Sequence, residues 1–340
     1  MNELQLVSAV VHRVGNKADG DGVFLSERPL ELDETLRTVL GEYFTASFKS
    51  EEFFTFFHED GLEANPVFAA ATAIFDDPDQ LYAKSRELAG FLYEKSEHPN
   101  IKNGEFYTVF FEGSLGGEST QVLGLFKSET KDTFLKVNPS MDGLELRCEQ
   151  GVSVKKIDKG CLVFNRNRED GYALSIVDNS NRSEAIFWID DFLHARQRRD
   201  SYSNTQDVLT MCKNYVVKEL PKQFEVTKAD QADFLNKSVE FFRQNERFNM
   251  QQFADEVIQQ RDIIESFDEY STNFQKDRGI DIDDNFAISE SAFKKQQRGL
   301  KSVIKLDKNF HIYVHGNRNL IEQGEDAKGK FYKVYYQEES

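Results

Sequence analysis

The spacing of hydrophobic and polar positions changes twice along the chain, and each change predicts a different kind of element. Near the N-terminus, LQLVSAVVHRV is predicted to form a strand that GNKADGDG turns toward VFLSE. The apolar residues that follow recur at helical spacing, from Leu36 to Phe44 and through the phenylalanines of residues 53–57. The stretch between this hairpin and Gly104 is therefore predicted to be mostly helical.

From Gly104 onward, apolar and polar residues alternate, which is the period of a strand with one buried face. Turn residues separate six such segments, namely FYTVFFEG, TQVLGLFKS, TFLKVNP, LELRCEQG, CLVFNRN and YALSIVDN. Their connections are too short for the crossovers that parallel strands need. We therefore predict one antiparallel sheet over residues 104–190, joined by the N-terminal strand, rather than a doubly wound nucleotide-binding fold.

After residue 190 the helical spacing returns. Ser203 to Gln206 and Thr227 to Asp230 fit capping boxes, each followed by apolar positions on one helix face. The closing segments LKSVIKLDKNFHIYVHG and GKFYKVYYQE alternate again and are predicted to be strands. The predicted class is α+β, with an antiparallel sheet and flanking helices in a domain at 1–190 and a mainly helical domain at 191–340 that ends in strands.

Length and composition limit the class of protein. The chain has 340 residues, 39% of them hydrophobic and 30 of them Phe, which is enough to fill the cores of about two domains. No apolar run reaches the ~18 residues of a membrane span, and Gln5, Ser8 and His12 interrupt the first apolar stretch, so a cytoplasmic protein is expected. The three cysteines are far apart, which argues against disulfides and a cysteine-built zinc site.

Charged residues are distributed unevenly along the chain, whose formal net charge is −17. Residues 1–100 hold 8 Lys+Arg against 19 Asp+Glu, and residues 255–290 hold 3 against 11. Basic residues dominate 155–168, with 5 against 1, and 294–336, with 10 against 4. Net acidity disfavours nucleic-acid binding, but the basic islands could each contact phosphates, or could be ordinary solvated faces.

The familiar catalytic and metal-binding patterns do not fit. KADGDG places Lys17 and Arg28 where an EF-hand needs carboxylates, so it predicts a hairpin turn instead. GSLGG at 113–117 has no Gly-Lys-Ser/Thr after it, and His311 and His315 lie four apart in a predicted strand. Only the tripeptide Glu129-Thr-Lys131 resembles a feature of metal-dependent nucleases, so a nuclease is the weakest hypothesis. We expect no cofactor, no bound metal and no enzymatic activity.

Several segments together resemble a known family. They are LVSAVVHRVGN, YALSIVD, AIFWIDDFLHARQRRDSYSNTQDVLTMCKNYV and KSVIKLDKNFHIYVHG, and their order and character are similar to those of the bacterial nucleoid-associated proteins of the NdpA (YejK) family. The most specific parts are Phe187 to Leu193 and the helix start around Asn204. The resemblance covers nearly the whole chain and implies a protein of the nucleoid. It supplies no catalytic residues.

Three arginines, Arg196, Arg198 and Arg199, lie within four positions just before a predicted helix start. Guanidinium forks and helix N-termini both suit phosphate oxygens, so the cluster is a candidate DNA contact. The alternative is that Asp190, Asp191 or Asp200 pairs with these arginines and ties two domains together. The complete set of predicted phosphate contacts is Arg196, Arg198, Arg199, Lys155, Lys156, Lys294, Lys295, Arg298 and Lys301.

Two functions from different classes follow. In the first, the protein binds double-stranded DNA directly and non-enzymatically, through phosphate contacts with little readout of base sequence. In the second, it is an adaptor whose acidic surfaces dock onto a DNA-processing protein that is itself on the chromosome. Both place the protein in the nucleoid, away from membranes, and both allow a homodimer.

Overall fold

The computed structural model describes residues 4–115, 118–179, 187–300, 303–306, 310–314 and 320–338. The chain divides into two compact units, Met1–Arg198 and Arg199–Ser340. Both units contain helices together with antiparallel strands, which confirms the predicted α+β class. No helix in the described part of the chain is long and apolar enough to cross a bilayer. The predicted residues Gly116, Gly117, Lys301 and His315 lie outside the described ranges.

The first unit is built on an antiparallel sheet. The strands of this unit are β1 (Leu4–Val14), β2 (Val23–Phe24), β3 (Phe54–Phe56), β4 (Gly104–Leu115), β5 (Glu118–Ser128), β6 (Lys131–Ser140), β7 (Gly143–Val152), β8 (Lys159–Phe164), β9 (Ala173–Asp178) and β10 (Ala195–Gln197). Eight of them form one sheet in the order β10-β3-β9-β8-β5-β4-β1-β2. As predicted, β1 and β2 form a hairpin around the KADGDG turn.

Helices cover both faces of this sheet because its central strands carry apolar side chains on both sides. The helices are α1 (Glu34–Thr45), α2 (Pro66–Asp76), α3 (Leu81–Lys95) and a π-helical turn at Phe187–Leu193. In β4, Phe106 and Phe110 pack with α2 and α3, whereas Tyr107 and Phe111 pack with α1 on the other face. Two cores therefore lie back to back across one sheet.

The prediction of a single sheet over residues 104–190 is wrong for two of the six segments. Among the residues that the structure describes, strands β6 and β7 pair only with each other, in a separate two-stranded sheet. Strand β5 already pairs with β4 on one edge and β8 on the other, so no edge is free for β6. The Asp158 carboxylate accepts hydrogen bonds from the amides of Glu129 and Thr130 at 2.7 and 2.8 Å, which holds the chain at the point where it leaves the sheet.

The helical prediction for the phenylalanines of residues 53–57 is also wrong. Phe54–Phe56 forms β3, which pairs with β9 on one side and with β10 on the other. The Phe56 ring is 1% exposed and packs edge-on against Phe68, whereas Phe57 is 37% exposed. Apolar residues at nearly every position fit a short buried strand as well as a helix, and the sheet supplied the pairing partners.

The second unit is mainly helical. Its helices are α4 (Ser201–Asn214), α5 (Leu220–Gln223), α6 (Lys228–Gln244), α7 (Met250–Phe253), α8 (Arg261–Arg278) and α9 (Glu290–Gln296), with π-helical turns at Tyr215–Glu219 and Ala254–Ile258. Its strands form three antiparallel pairs, β11 (Arg247–Asn249) with β12 (Asn285–Ala287), β13 (Val303–Leu306) with β14 (Phe310–Tyr313), and β15 (Ile321–Asp326) with β16 (Gly329–Val334). Stacked and edge-on phenylalanines around Phe242 and Phe248 fill the core.

Helix α4 begins earlier than its predicted capping box. The N-cap is Asp200, whose Oδ1 accepts hydrogen bonds from the amides of Tyr202 and Ser203, while Ser203 Oγ accepts from the Asp200 amide at 2.9 Å. The box therefore joins Asp200 to Ser203 rather than Ser203 to Gln206, because the extended backbone that an N-cap needs is at Asp200. The other predicted box, Thr227 with Asp230, is confirmed at the start of α6.

A buried histidine ties β1 to α3. His12 is 2% exposed, its Nε2 lies 2.9 Å from Ser85 Oγ, and its Nδ1 accepts a hydrogen bond from the Ser26 amide at 3.1 Å. Because Nδ1 accepts, the ring is neutral with its proton on Nε2. Burial, together with the positive charge of Arg86, lowers the pKa of His12 from 6.5 to about 4.

Stability should therefore depend on pH through His12. Between pH 6.5 and about 4 the unfolded chain takes up a proton that the folded chain refuses, so the free energy of unfolding falls as the pH falls through this window. We expect His12→Gln to lose less stability than the parent between pH 7 and pH 5, by about 2 kcal/mol in urea unfolding. The exposed His98 is the control, since His98→Gln should keep the parent's pH dependence. Parallel pH profiles for His12→Gln and the parent would contradict this assignment.

Candidate nucleic-acid interface

The three clustered arginines have three different intramolecular partners. The exposed Arg196 lies in β10, with its guanidinium carbon 4.3 Å from the centroid of the Phe57 ring. Arg198 Nη1 lies 3.5 Å from Asn167 Oδ1, in the first unit. Arg199, the first residue of the second unit, donates from Nη2 to the Gly279 carbonyl at 2.8 Å, at the C-terminal end of α8.

The acidic residues close in sequence to these arginines do not pair with them within the described ranges. Asp200 caps α4, and no ion pair within the described ranges joins any of the three arginines to Asp190, Asp191 or Asp200. Burial, and then the charge of Asp191, raises the pKa of Asp190. The structural role that the sequence suggested for the arginines therefore takes another form, through an aromatic ring, an amide and a backbone carbonyl.

A small cavity lies beside Arg198 in the first unit. Its volume is about 230 Å³, and its lining consists of Phe53, Phe164, Arg166, Asn167, Ala173 and Arg198. Arg166 also forms an ion pair with Glu118 at 3.1 Å. Two arginines and two phenylalanines therefore line the same cavity.

Lys155 and Lys156 lie in the turn between β7 and β8. Both side chains are exposed, and neither forms an ion pair with any residue that the structure describes. Because both side chains are exposed, both ammonium groups are accessible to solvent. Their placement satisfies the geometric requirement for a phosphate contact, namely an accessible cation.

Three of the predicted C-terminal cations belong to one surface in the second unit. Lys294 and Lys295 lie in α9, and Arg298 lies in the 3-10 turn that follows. Lys295 Nζ donates to the Tyr202 hydroxyl at 3.1 Å, which places it over the first turn of α4. Lys294 pairs with Glu290 at 2.5 Å.

Sequence reasoning missed a fourth cation of this surface. Lys213, in the last turn of α4, has its Nζ only 3.2 Å from the position that a Cβ would take on Gly299, next to Arg298. Lys213 and Arg298 are both exposed, and within the described residues neither forms an ion pair. We call Lys213, Lys294, Lys295 and Arg298 the α4–α9 basic face. Lys213 and Arg298 are 85 positions apart in the sequence, so no local pattern could have associated them.

A second charged cluster is buried in the first unit. Lys127, Lys159 and Asp178 are cross-strand neighbours on β5, β8 and β9, and Glu129 follows β5. Their side chains are 0 to 6% exposed, with Lys127 Nζ 2.9 Å from Glu129 Oε1 and Lys159 Nζ 3.6 Å from Glu129 Oε2. Lys159 Nζ also lies 3.8 Å from Asp178 Oδ1. We call these four residues the buried charge quartet.

The quartet bears on the nuclease hypothesis for Glu129-Thr-Lys131. Both Glu129 oxygens face lysine ammonium groups, whereas Lys131 pairs with Glu105. A divalent cation at Glu129 would be repelled by the two ammonium groups. Within the described ranges, no group of three or more His, Cys, Asp and Glu side chains is arranged to hold a metal ion.

The segment with the most specific family resemblance is part of the core. Trp188 is fully buried at 0% exposure, its ring centroid lies 4.9 Å from that of Phe192, and its Nε1 points to the Gly160 carbonyl at 3.4 Å. Phe187 and Leu193 are buried as well. The four buried side chains of this segment therefore support the core that contains β8 and α3.

Comparison with known proteins agrees with the resemblance seen in the sequence. A family model described as nucleoid-associated protein YejK matches residues 10–332, which is most of the chain. A search of curated proteins gives no match. The family match confirms the predicted nucleoid localisation. The chain belongs to the family of the nucleoid-associated protein YejK.

Proposed function

We propose that this protein binds duplex DNA directly, by contacts between its lysine and arginine side chains and DNA phosphates, and that it does not cleave the DNA. The α4–α9 basic face carries the proposal. It gathers four cations from α4, α9 and the turn that follows, beside the carboxylate of Glu290, in a chain whose net charge is −17. A local positive surface on an acidic protein concentrates attraction for a polyanion at one place.

The chemistry of this face favours phosphates over bases. Lysine ammonium groups are flexible point charges that suit phosphate oxygens, and Arg298 adds a planar fork that can bind two oxygens at once. Contacts of this kind fix the protein on the duplex and carry no base information. We therefore expect DNA binding with little preference for base sequence and with an affinity that falls steeply as salt concentration rises.

The remaining predicted cations are proposed as secondary contacts. Lys155, Lys156 and Arg196 are exposed in the first unit, and the Arg196 guanidinium lies over the Phe57 ring. Arg198 and Arg199 each have an intramolecular hydrogen-bond partner but retain further N–H groups that could reach a phosphate. Lys301 belongs to the proposal by its sequence alone.

Replacing all four residues of the α4–α9 basic face by Ala should weaken binding to every duplex sequence alike. The log–log dependence of affinity on salt should become shallower by about 0.9 per lost phosphate contact, or about 3.6 in all. Fluorescence anisotropy with two unrelated duplexes across a salt series measures both quantities. Replacing Arg196, Arg198 and Arg199 together tests the secondary contacts, with a change of about 2.7 expected.

A control variant removes the same charge from elsewhere in the second unit. Lys222, Lys237, Arg243 and Arg261 are exposed cations that each pair with a carboxylate on their own or an adjoining helix. Their fourfold Ala variant should keep most of the parent's salt slope. If both fourfold variants lower the slope equally, only net charge matters and the face is not a site. If the parent shows no salt-dependent binding, the adaptor function takes the place of direct binding.

A further inference from the structure

Three neighbouring cross-strand pairs on one face of the hairpin of β6 and β7 are apolar. The register places Leu135 opposite Cys148, Val137 opposite Leu146, and Pro139 opposite Leu144, and directly opposed residues of an antiparallel pair project to the same face. Exposure is 64% at Leu135, 55% at Val137, 77% at Leu144 and 61% at Leu146. We call these six residues the apolar hairpin face.

On the opposite face, the pairs that alternate with these apolar pairs along the strands are polar. Lys136 lies opposite Arg147, and Asn138 lies opposite Glu145. Ion pairs at 3.7 Å between Lys136 and Glu149, and at 3.0 Å between Arg147 and Glu145, cross this face. Such sorting is typical of a sheet with one buried side, yet no described residue of the chain covers the apolar hairpin face.

We propose that the apolar hairpin face packs against the same face of a second copy of this chain. The six residues carry no charge, so two copies can meet there without bringing like charges into contact, although each has a net charge of −17. A flat apolar surface is complementary to itself, and two-fold association of identical patches is the commonest form of oligomer. An isolated two-stranded hairpin is marginally stable in water, so the contact would also stabilise the hairpin.

The size of the apolar hairpin face determines how strong the proposed dimer is expected to be. The three pairs of the face cover five residues of each strand at about 3.4 Å per residue, with the strands about 4.8 Å apart, so the surface is roughly 15 Å long and 10 Å wide. Two such surfaces bury less than a standard interface, so the contact belongs to the weak, transient class. We therefore expect a dimer that dissociates at concentrations on the order of micromolar.

The dependence of association on salt concentration distinguishes self-association from docking onto a basic partner. Net repulsion between two copies of charge −17 opposes association and is screened by salt, so the dimer should strengthen as salt increases. The proposed DNA contact has the opposite salt dependence. The two proposals can therefore fail independently, and the association is measured without DNA.

Sedimentation velocity over a range of protein concentrations, at low and at high salt, tests the proposal. The parent should shift from monomer to dimer with concentration, at lower concentration in high salt. The double variant Leu144→Lys/Leu146→Lys places charges on the apolar hairpin face and should remain monomeric. The control Lys136→Gln/Arg147→Gln removes two charges from the polar face of the same strands and should still dimerise. At protein concentrations where the parent is monomeric, all variants should keep the parent's Tm, because none of the substituted residues belongs to either core.

Cys148 provides a second readout that needs no substitution. It lies on the apolar hairpin face and is exposed, whereas Cys161 and Cys212 are buried, and burial strongly raises the pKa of both buried thiols. Alkylation of the native protein should therefore report Cys148 alone, and its rate should fall as protein concentration rises through the dimerisation range. A parent that stays monomeric at all concentrations, with an alkylation rate independent of concentration, would overturn the proposal.

Discussion

Glu129→Gln should lower the free energy of unfolding by about 3–5 kcal/mol, the range for breaking a buried ion pair by removing one partner. Glu129 lies between the ammonium groups of Lys127 and Lys159, which are 0% and 1% exposed. Glutamine keeps the shape of the side chain but leaves two buried cations with only Asp178 as a carboxylate in the buried charge quartet. Urea unfolding at pH 7, followed by circular dichroism, measures the loss.

Two further variants identify the cause. Glu94→Gln removes a carboxylate that pairs with Lys17 at 2.6 Å on the surface, where it is 61% exposed, and should cost less than about 1 kcal/mol. Lys127→Met/Glu129→Gln removes a cation together with the anion and should recover part of the stability that Glu129→Gln loses. If Glu129→Gln costs no more than Glu94→Gln, the quartet is solvated and its burial contributes nothing.

Trp188→Ala should cost about 3–5 kcal/mol, the range for truncating a large buried aromatic side chain. Trp188 is 0% exposed and packs on Phe192, which in turn meets Phe106 of the central strand β4 edge-on at 5.8 Å. The cavity left by the indole would lie between the sheet and the helices of one core. Unfolding in urea, with DNA binding measured on the same samples, checks this expectation.

Asp191→Ala is the matched control for Trp188→Ala. Asp191 lies in the same π-helical turn but is exposed, and its removal should change stability by less than about 0.5 kcal/mol. The two variants separate a packing role from a binding role for the segment that most resembles the family. A Trp188→Ala protein with the parent's stability but without DNA affinity would show that the segment contacts the ligand.

Local patterns in the sequence were sufficient to predict much of the architecture. Alternation identified β4, β5, β8 and β9, and a cap identified the start of α6 at Thr227. These features depend on neighbours a few residues apart, because side-chain period and capping hydrogen bonds are set within one or two turns of chain. The overall class and the family resemblance rested on the same short-range information.

The arrangement of charged residues depended on contacts that no local pattern contains. Lys127 and Lys159 are unremarkable lysines in the sequence, and only the pairing of β5 with β8 buries them side by side around Glu129. Lys213 likewise lies beside Gly299, the neighbour of Arg298, only because α9 packs against α4. Burial and distance between remote residues are properties of the packed chain, so such clusters follow from the tertiary structure alone.

The sequence by itself determined the period of most strands and helices, the α+β class and the number of basic residues available for phosphate contacts. The tertiary structure decided which strands pair. Because β5 has both edges occupied, β6 and β7 leave the main sheet, and their alternation then produces one polar and one apolar face with no cover from the described chain. Alternation specifies that a strand has two unlike faces, whereas only long-range pairing decides what each face meets.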